Sequence, residues 1–242
     1  MRLLICGKGG AGKSAITLLM AREFRKRGPV YILDSDESNR LLSKLLGTET
    51  PKTVANYLGG RKNLSKEFSK LDKINLSKLP GEYIKMSPDG IGLASVGKIE
   101  EFGEGCACPY GLLSKVLLKK MVLLEGETVL VDTEAGVEHL GRGVEEGIDA
   151  LIVIVDPTAE GIAIAKLLRD EANRIEKPFH MILNKITSEV EDIMVEKAKA
   201  EGLVPSALVR YDQLIFRSSL EGTMLQAGSA QEEVSRFIKS NF

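Results

Sequence analysis

Short apolar runs recur along the chain, and each closes on a polar residue or a glycine-rich turn: residues 2–6 (RLLIC), 30–34 (VYILD), 128–132 (TVLVD), 150–156 (ALIVIVD) and 180–184 (HMILN). Rich in Val, Ile and Leu, they have the pattern of strands buried on both faces. Between them, apolar positions return at helical spacing over 14–27, 109–124, 158–175 and 188–201. The first of these ends at Gly28-Pro29, a firm stop for a helix. Strand-helix alternation of this kind predicts an α/β fold, a mostly parallel twisted sheet with helices on both faces. Ligands of such sheets bind at the carboxyl ends of the strands, where Asp34, Asp132, Asp156 and Asn184 fall.

Two stretches depart from the alternation. Residues 59–80 carry Arg61, Lys62, Lys66, Lys70, Lys73 and Lys78 and read as a basic helical excursion at the surface, either solvated or a docking face. Residues 82–97 alternate around Pro88-Asp89-Gly90 and predict a hairpin. There is no internal repeat and no low-complexity tract.

At 242 residues the chain is long enough to bury a good core as one domain over 1–242. A formal net charge of −1 gives no global push towards nucleic acid or anionic lipid. No apolar run approaches the roughly 20 residues of a membrane span, and the opening MRLLICGKGG reaches a glycine-rich turn too soon for a secretory core. Three cysteines make no disulfide framework and suggest a reducing, cytoplasmic setting. In the tail EEVSRFIKSNF, Arg236 and Lys239 are offset by Glu232 and Glu233, a weak candidate for a membrane anchor. The expectation is a cytoplasmic protein without nucleic acid or stable membrane association.

The first run leads directly into GKGGAGKS, residues 7–14, and that into the first helix. This satisfies the phosphate-loop pattern G-x-x-x-x-G-K-[ST] in the strand-loop-helix context it requires. Gly7, Gly9, Gly10, Ala11 and Gly12 would turn backbone N–H groups on to phosphates, with the helix N-terminus and Ala15 behind them. Lys13 is expected on the β- and γ-phosphates and Ser14 on Mg²⁺. Asp132 ends a strand well downstream, as a carboxylate of the Mg²⁺ shell must, and Gly136 follows with an unobstructed N–H for the γ-phosphate. Asp34 and Asp36, in LDSDES, end the second run: Asp34 suits the Mg²⁺ shell and Asp36 the attacking water. Asp36 could instead cap a helix. Asn184-Lys185 lies where a base would sit, and Thr187 leaves no carboxylate for a guanine amino edge, which favours ATP.

Lys8 is not required by the general phosphate-loop rule. With it, GKGGAGKS resembles the deviant Walker A motif, K-G-G-x-G-K-[ST], of the MinD/ParA/NifH-type ATPases. The resemblance implies that Lys8 crosses a twofold interface to phosphates bound by the other subunit, hence a catalytic Lys8 and an ATP-bound homodimer. Within that family, GEGCACP and DTEAGVEHL look like the CooC-type ATPases that assist nickel insertion into carbon monoxide dehydrogenase. The likeness spans essentially the whole chain. It implies apo carbon monoxide dehydrogenase, or a related nickel enzyme, as partner. Arg210, in VRYDQ, replaces a proline frequent in relatives, in the loop that backs the adenine.

A twofold axis also gives the C-x-C of loop 103–111 a use. Tetrahedral thiolate sites take four sulfurs, and Cys106 and Cys108 from each of two chains supply them. Pro109 suits the first helical position, placing Cys108 near an N-cap that favours the thiolate. A redox pair or structural cysteines are the other readings. Thiolates alone do not choose among Ni²⁺, Zn²⁺ and an iron–sulfur cluster; nickel comes from the resemblance. His139 is a weaker candidate ligand, while Cys6 and His180 read as packed on buried strands.

Overall fold

The computed structural model describes residues 1–60, 64, 71–98, 108–134 and 147–242. Cys106, Gly136 and His139 lie outside the described residues, as does the side chain of Cys108.

The strands are β1 (Arg2–Cys6), β2 (Val30–Asp34), β3 (Lys85–Met86), β4 (Ile91–Ser95), β5 (Thr128–Asp132), β6 (Ala150–Val155), β7 (Phe179–Ile186) and β8 (Ala207–Arg210). They form an 8-stranded sheet in the order β3-β4-β2-β5-β1-β6-β7-β8. Every pairing is parallel except that of β3 with β4, the hairpin expected around Pro88-Asp89-Gly90. The described helices are α1 (Lys13–Arg25), α2 (Leu42–Leu46), α3 (Val54–Tyr57), α4 (Cys108–Lys120), α5 (Ala159–Arg174), α6 (Glu191–Ala200), α7 (Gln213–Glu221) and α8 (Ser229–Asn241).

Alternation along each strand divides the core in two. Leu4, Cys6, Leu33, Val131, Val153 and Leu183 face one side, with α4, α5 and α6 packed on them through Leu113, Leu117, Leu168 and Met194. Leu3, Ile5, Ile32, Leu130, Ile152 and Ile182 face the other, under α1 and α8 through Ile16, Leu19, Phe24, Val234 and Phe237. This is the single-domain α/β arrangement expected, with helices on both faces. Cys6 is fully buried as a small hydrophobe, its thiol pushed up to about 12 by burial. His180 is half-buried against the rings of Phe237 and Phe242.

Most of the basic excursion lies outside the described residues. What is described is anchored: Leu64, Ile74, Leu76 and Leu79 are buried in the core while Lys73 and Lys78 face out. Between the lysines, then, the stretch supplies core rather than a purely solvated surface. Among the described residues no helix is long and apolar enough to cross a membrane.

Candidate nucleotide and cation site

All the strand-end residues singled out from the sequence lie along one edge of the sheet. The phosphate loop leaves β1 with Gly7, Gly10 and Gly12 at φ 137°, 80° and 97°, values that a side chain tolerates poorly. Neighbours also forbid side chains there: a Cβ on Gly7 would stand 2.2 Å from the Ile154 carbonyl oxygen, and one on Gly12 2.3 Å from Asn184 Nδ2. Beside Gly9 and Gly10, by contrast, there is open space. Ala11 is buried, and Ala15 lies in the first turn of α1. Lys13 folds back over the loop, its Nζ donating to the carbonyls of Gly7 and Lys8 at 3.1 Å each.

Ser14, the next residue, donates its hydroxyl to Asp132 Oδ2 at 2.6 Å. Asp132 is fully buried, and its Oδ1 has no hydrogen-bond partner among the described residues. An orphaned buried carboxylate oxygen beside a hydroxyl on a phosphate loop fits a hydrated divalent cation. Burial pushes the Asp132 carboxyl up to about 7, offset in part by the Ser14 hydroxyl. Asp34 is pushed up to about 6 for the same reason, offset by a lysine absent from the sequence reading, Lys98. The Lys98 ammonium lies 2.6 Å from Asp34 Oδ2.

Asp36 sits between these groups and is itself engaged. Its Oδ1 accepts from Ser38 N at 2.9 Å, Ser38 Oγ at 2.6 Å and Asn39 N at 3.1 Å. It thus shapes the loop that follows β2, the turn-forming use of an aspartate. Asn39 reaches back from that loop, donating its side-chain amide to Ser14 Oγ at 2.9 Å. Glu37 is half-buried nearby, held above the usual carboxylate range by burial and by Glu134 and Asp36.

On the opposite side of the loop, β7 and β8 bound a cavity of about 320 Å³ lined by Gly12, Ile16, Asn184, Tyr211, Ile215 and Phe216, among others. Asn184 Nδ2 donates to the Ala11 carbonyl at 2.8 Å, and Lys185 Nζ to that of Gly10 at 2.7 Å. Arg210 borders the cavity but turns its guanidinium to Glu233 at 2.9 Å and Glu191 at 3.3 Å. Its backbone N–H also goes to Glu233, so Arg210 braces the cavity wall. Size and apolar lining suit a planar base.

Lys8 points away from the phosphate loop within its own chain. Its ammonium meets Glu160 at 3.0 Å and Asp156 at 3.7 Å, and that carboxylate company raises its pKa, the Glu160 hydrogen bond most. Glu160, Asn39 and Lys98 were missed from sequence, and Asp156 was read only as the polar end of its apolar run. The one available signal was position: Asp156 and Lys98 each stand just past the end of an apolar strand.

Over 238 residues the chain is 43% identical to an ATP-binding protein of Methanocaldococcus jannaschii, a match covering 94% of each. Its backbone follows that of the septum site-determining protein MinD of Pyrococcus horikoshii, solved with Mg-ADP, with a TM-score of 0.69 over 99% of this chain and 95% of that one, at 16% identity. The chain belongs to a family of ATP-binding proteins, and its fold is that of the MinD/ParA-like P-loop NTPases. It is also 29% identical over 202 residues to the carbon monoxide dehydrogenase accessory protein CooC of Rhodospirillum rubrum, 79% of this chain and 76% of that one. No protein-family model matches the chain. Among the described residues there is no cluster of three or more His, Cys, Asp or Glu side chains suited to a metal ion; Cys106 and the side chain of Cys108 lie outside them.

Proposed function

We propose that the chain is an ATPase that dimerises on binding nucleotide and assists insertion of nickel into carbon monoxide dehydrogenase or a related nickel enzyme. The observation that carries the ATPase reading is the Ser14–Asp132 hydrogen bond of 2.6 Å beside the unpartnered Asp132 Oδ1. Around it Lys13 would meet the β- and γ-phosphates, and the loop after β2 would bring Asp36 to the attacking water. Adenine is favoured by the cavity against Asn184, with Thr187 in place of a carboxylate. Bound Mg²⁺ would supply charge neutralisation at the phosphates.

The maturation role is supported by the identity with CooC and by Cys106 and Cys108 in the sequence. Two such pairs across a twofold axis would hold Ni²⁺, or Zn²⁺, as cargo between subunits. ATP can drive release only if it binds one state of the dimer better than the other. A membrane-positioning role draws less support, because α8 commits Val234, Phe237 and Ile238 to the core.

The test is anaerobic titration of Ni²⁺ into the reduced, metal-free protein, following thiolate-to-nickel charge-transfer absorption. Saturation near about half an equivalent per chain is expected for a site on the twofold axis, and Cys108→Ala should abolish it. No absorption, with or without ATP, would remove nickel and leave an ATPase whose cysteines serve another end.

A further inference from the structure

Lys98 lies just beyond β4, its side chain 12% exposed. An ammonium has three hydrogens, and this one meets three acceptors: Asp34 Oδ2 at 2.6 Å, the Asp36 carbonyl at 2.5 Å and the Asn39 carbonyl at 2.6 Å. A single ion pair with Asp34 would balance its charge. The two backbone acceptors do something else: they pin both ends of the loop that bears Asp36 to one atom. The loop is tied in turn to the phosphate site, since Asn39 donates to Ser14 Oγ at 2.9 Å and Ser14 to Asp132 at 2.6 Å. One largely enclosed cation, just past the neighbouring strand, is therefore connected through a few hydrogen bonds to the hydroxyl beside the phosphate loop.

Charge gives the arrangement a second consequence. Asp34 and Asp132 are register partners on adjacent strands, two buried carboxylates that a divalent cation would also address. Lys98 supplies positive charge to the same field and so opposes the cation electrostatically. There is room for it to give way. A cavity of about 130 Å³ is lined by Lys98 together with Asn39, Ser43, Thr50 and Ser95, and the Ser95 hydroxyl, 2% exposed, has no partner among the described residues.

We propose that Lys98 is a positioning residue with two opposed effects: it sets the Asp36 loop for hydrolysis, and it weakens the hold of the site on its divalent cation. The proposal rests on the ATPase reading above. Its test uses the full chain with Mg²⁺ and a fluorescent ATP analogue. Three quantities are read: nucleotide affinity in EDTA, the Mg²⁺ concentration that half-saturates the Mg-dependent signal, and kcat and KM for ATP. Lys98→Met should leave affinity in EDTA unchanged and, at a pH high enough to keep the Asp34 carboxyl ionised, lower the half-saturating Mg²⁺ by about tenfold, the effect of one nearby charge. It should lower kcat by on the order of 10²-fold through misplacement of Asp36, with little change in KM. Lys98→Arg, which keeps the charge but not the compact three-way fit, should restore the Mg²⁺ requirement and only part of kcat.

A purely structural lysine would weaken Mg²⁺ and nucleotide together and would not separate arginine from methionine. Half-saturating Mg²⁺ unchanged or raised in Lys98→Met, or kcat equal to that of the unaltered protein, overturns the proposal. Should Lys98→Met fail to fold, Lys98→Gln carries the same expectations. If the unaltered protein neither binds the analogue nor hydrolyses ATP, the ATPase reading falls and takes this one with it. An active protein with indifferent Lys98 variants overturns this one alone.

Discussion

Asp34 and Asp132 end adjacent strands in register, 3% and 0% exposed, and receive different partners. Asp34 meets the Lys98 ammonium at 2.6 Å, whereas the one side-chain hydrogen bond to the Asp132 carboxylate among the described residues comes from the Ser14 hydroxyl, at the same distance. Burial pushes both carboxyls up, Asp34 to about 6 and Asp132 to about 7; the Lys98 charge offsets it at Asp34 and the Ser14 hydroxyl at Asp132.

The sign of the resulting pH dependence follows from linkage. In an unfolded chain both carboxyls titrate near about 4, so the folded protein holds protons that the unfolded one has lost. Their contribution to stability is full below the unfolded value and is lost as pH rises through the folded values of about 6 and 7. Glutamates held low by lysine neighbours, such as Glu82 beside Lys52, act in the opposite sense, so the informative quantity is a difference. The gap in melting temperature between the unaltered protein and Asp132→Asn, in EDTA, should move in favour of the variant as pH rises from about 5 to about 8. The Mg-ATP thermal shift of the unaltered protein should grow over the same range, because the cation binds the ionised pair. A gap that stays constant with pH would refute the assignment of these carboxyls.

The sheet was legible because a parallel strand buried on both faces is written as an unbroken apolar run. Val30–Asp34 and Thr128–Asp132 match expectation residue for residue. β8 was missed for the converse reason: Ala207–Arg210 is a short edge strand with partly exposed positions and no clear run. α7 and α8 beyond it were missed too. The phosphate loop was legible since its parts are consecutive in the chain. The groups that set its neighbours come from distant segments, and no local pattern marks them: Lys98 folds back on Asp34, and Glu233 of α8 claims Arg210. The basic residues of 59–80 drew attention to the surface, yet Leu64, Ile74 and Leu76 among them are core.

Lys8 gives a second prediction. For it to serve a partner subunit, its contacts to Glu160 and Asp156 in its own chain must break. The shorter of the two, to the exposed Glu160, is screened by solvent and therefore weak, so the tether gives way to a phosphate. Lys8→Ala should keep ATP binding while ATP-dependent dimers disappear and hydrolysis falls by on the order of 10³-fold, as when a residue supplied in trans is lost. Glu160→Gln should shift dimerisation to slightly lower ATP. Light scattering coupled to size exclusion, with a phosphate-release assay, reads both. Normal dimers from Lys8→Ala would contradict the cross-subunit role.

Gly12 and Asn184 give a third, through the bond they share. A methyl on Gly12 would lie 2.3 Å from Asn184 Nδ2, the same atom that donates to the Ala11 carbonyl at 2.8 Å. Gly12→Ala therefore strains a residue at φ 97° and also displaces the amide from a buried acceptor. The first effect costs about 1–2 kcal/mol and the second about 1–3 kcal/mol. Gly10→Ala, at φ 80° in open space, isolates the backbone effect at about 1–2 kcal/mol. Asn184→Ala isolates the lost bond and also relieves the clash. The double variant Gly12→Ala/Asn184→Ala should then be less destabilised than the two single costs added together, because both singles remove one and the same hydrogen bond. Urea denaturation of the four variants decides it. Strictly additive costs would mean that the methyl leaves the amide in place, and that the phosphate loop is not held to β7 through this atom.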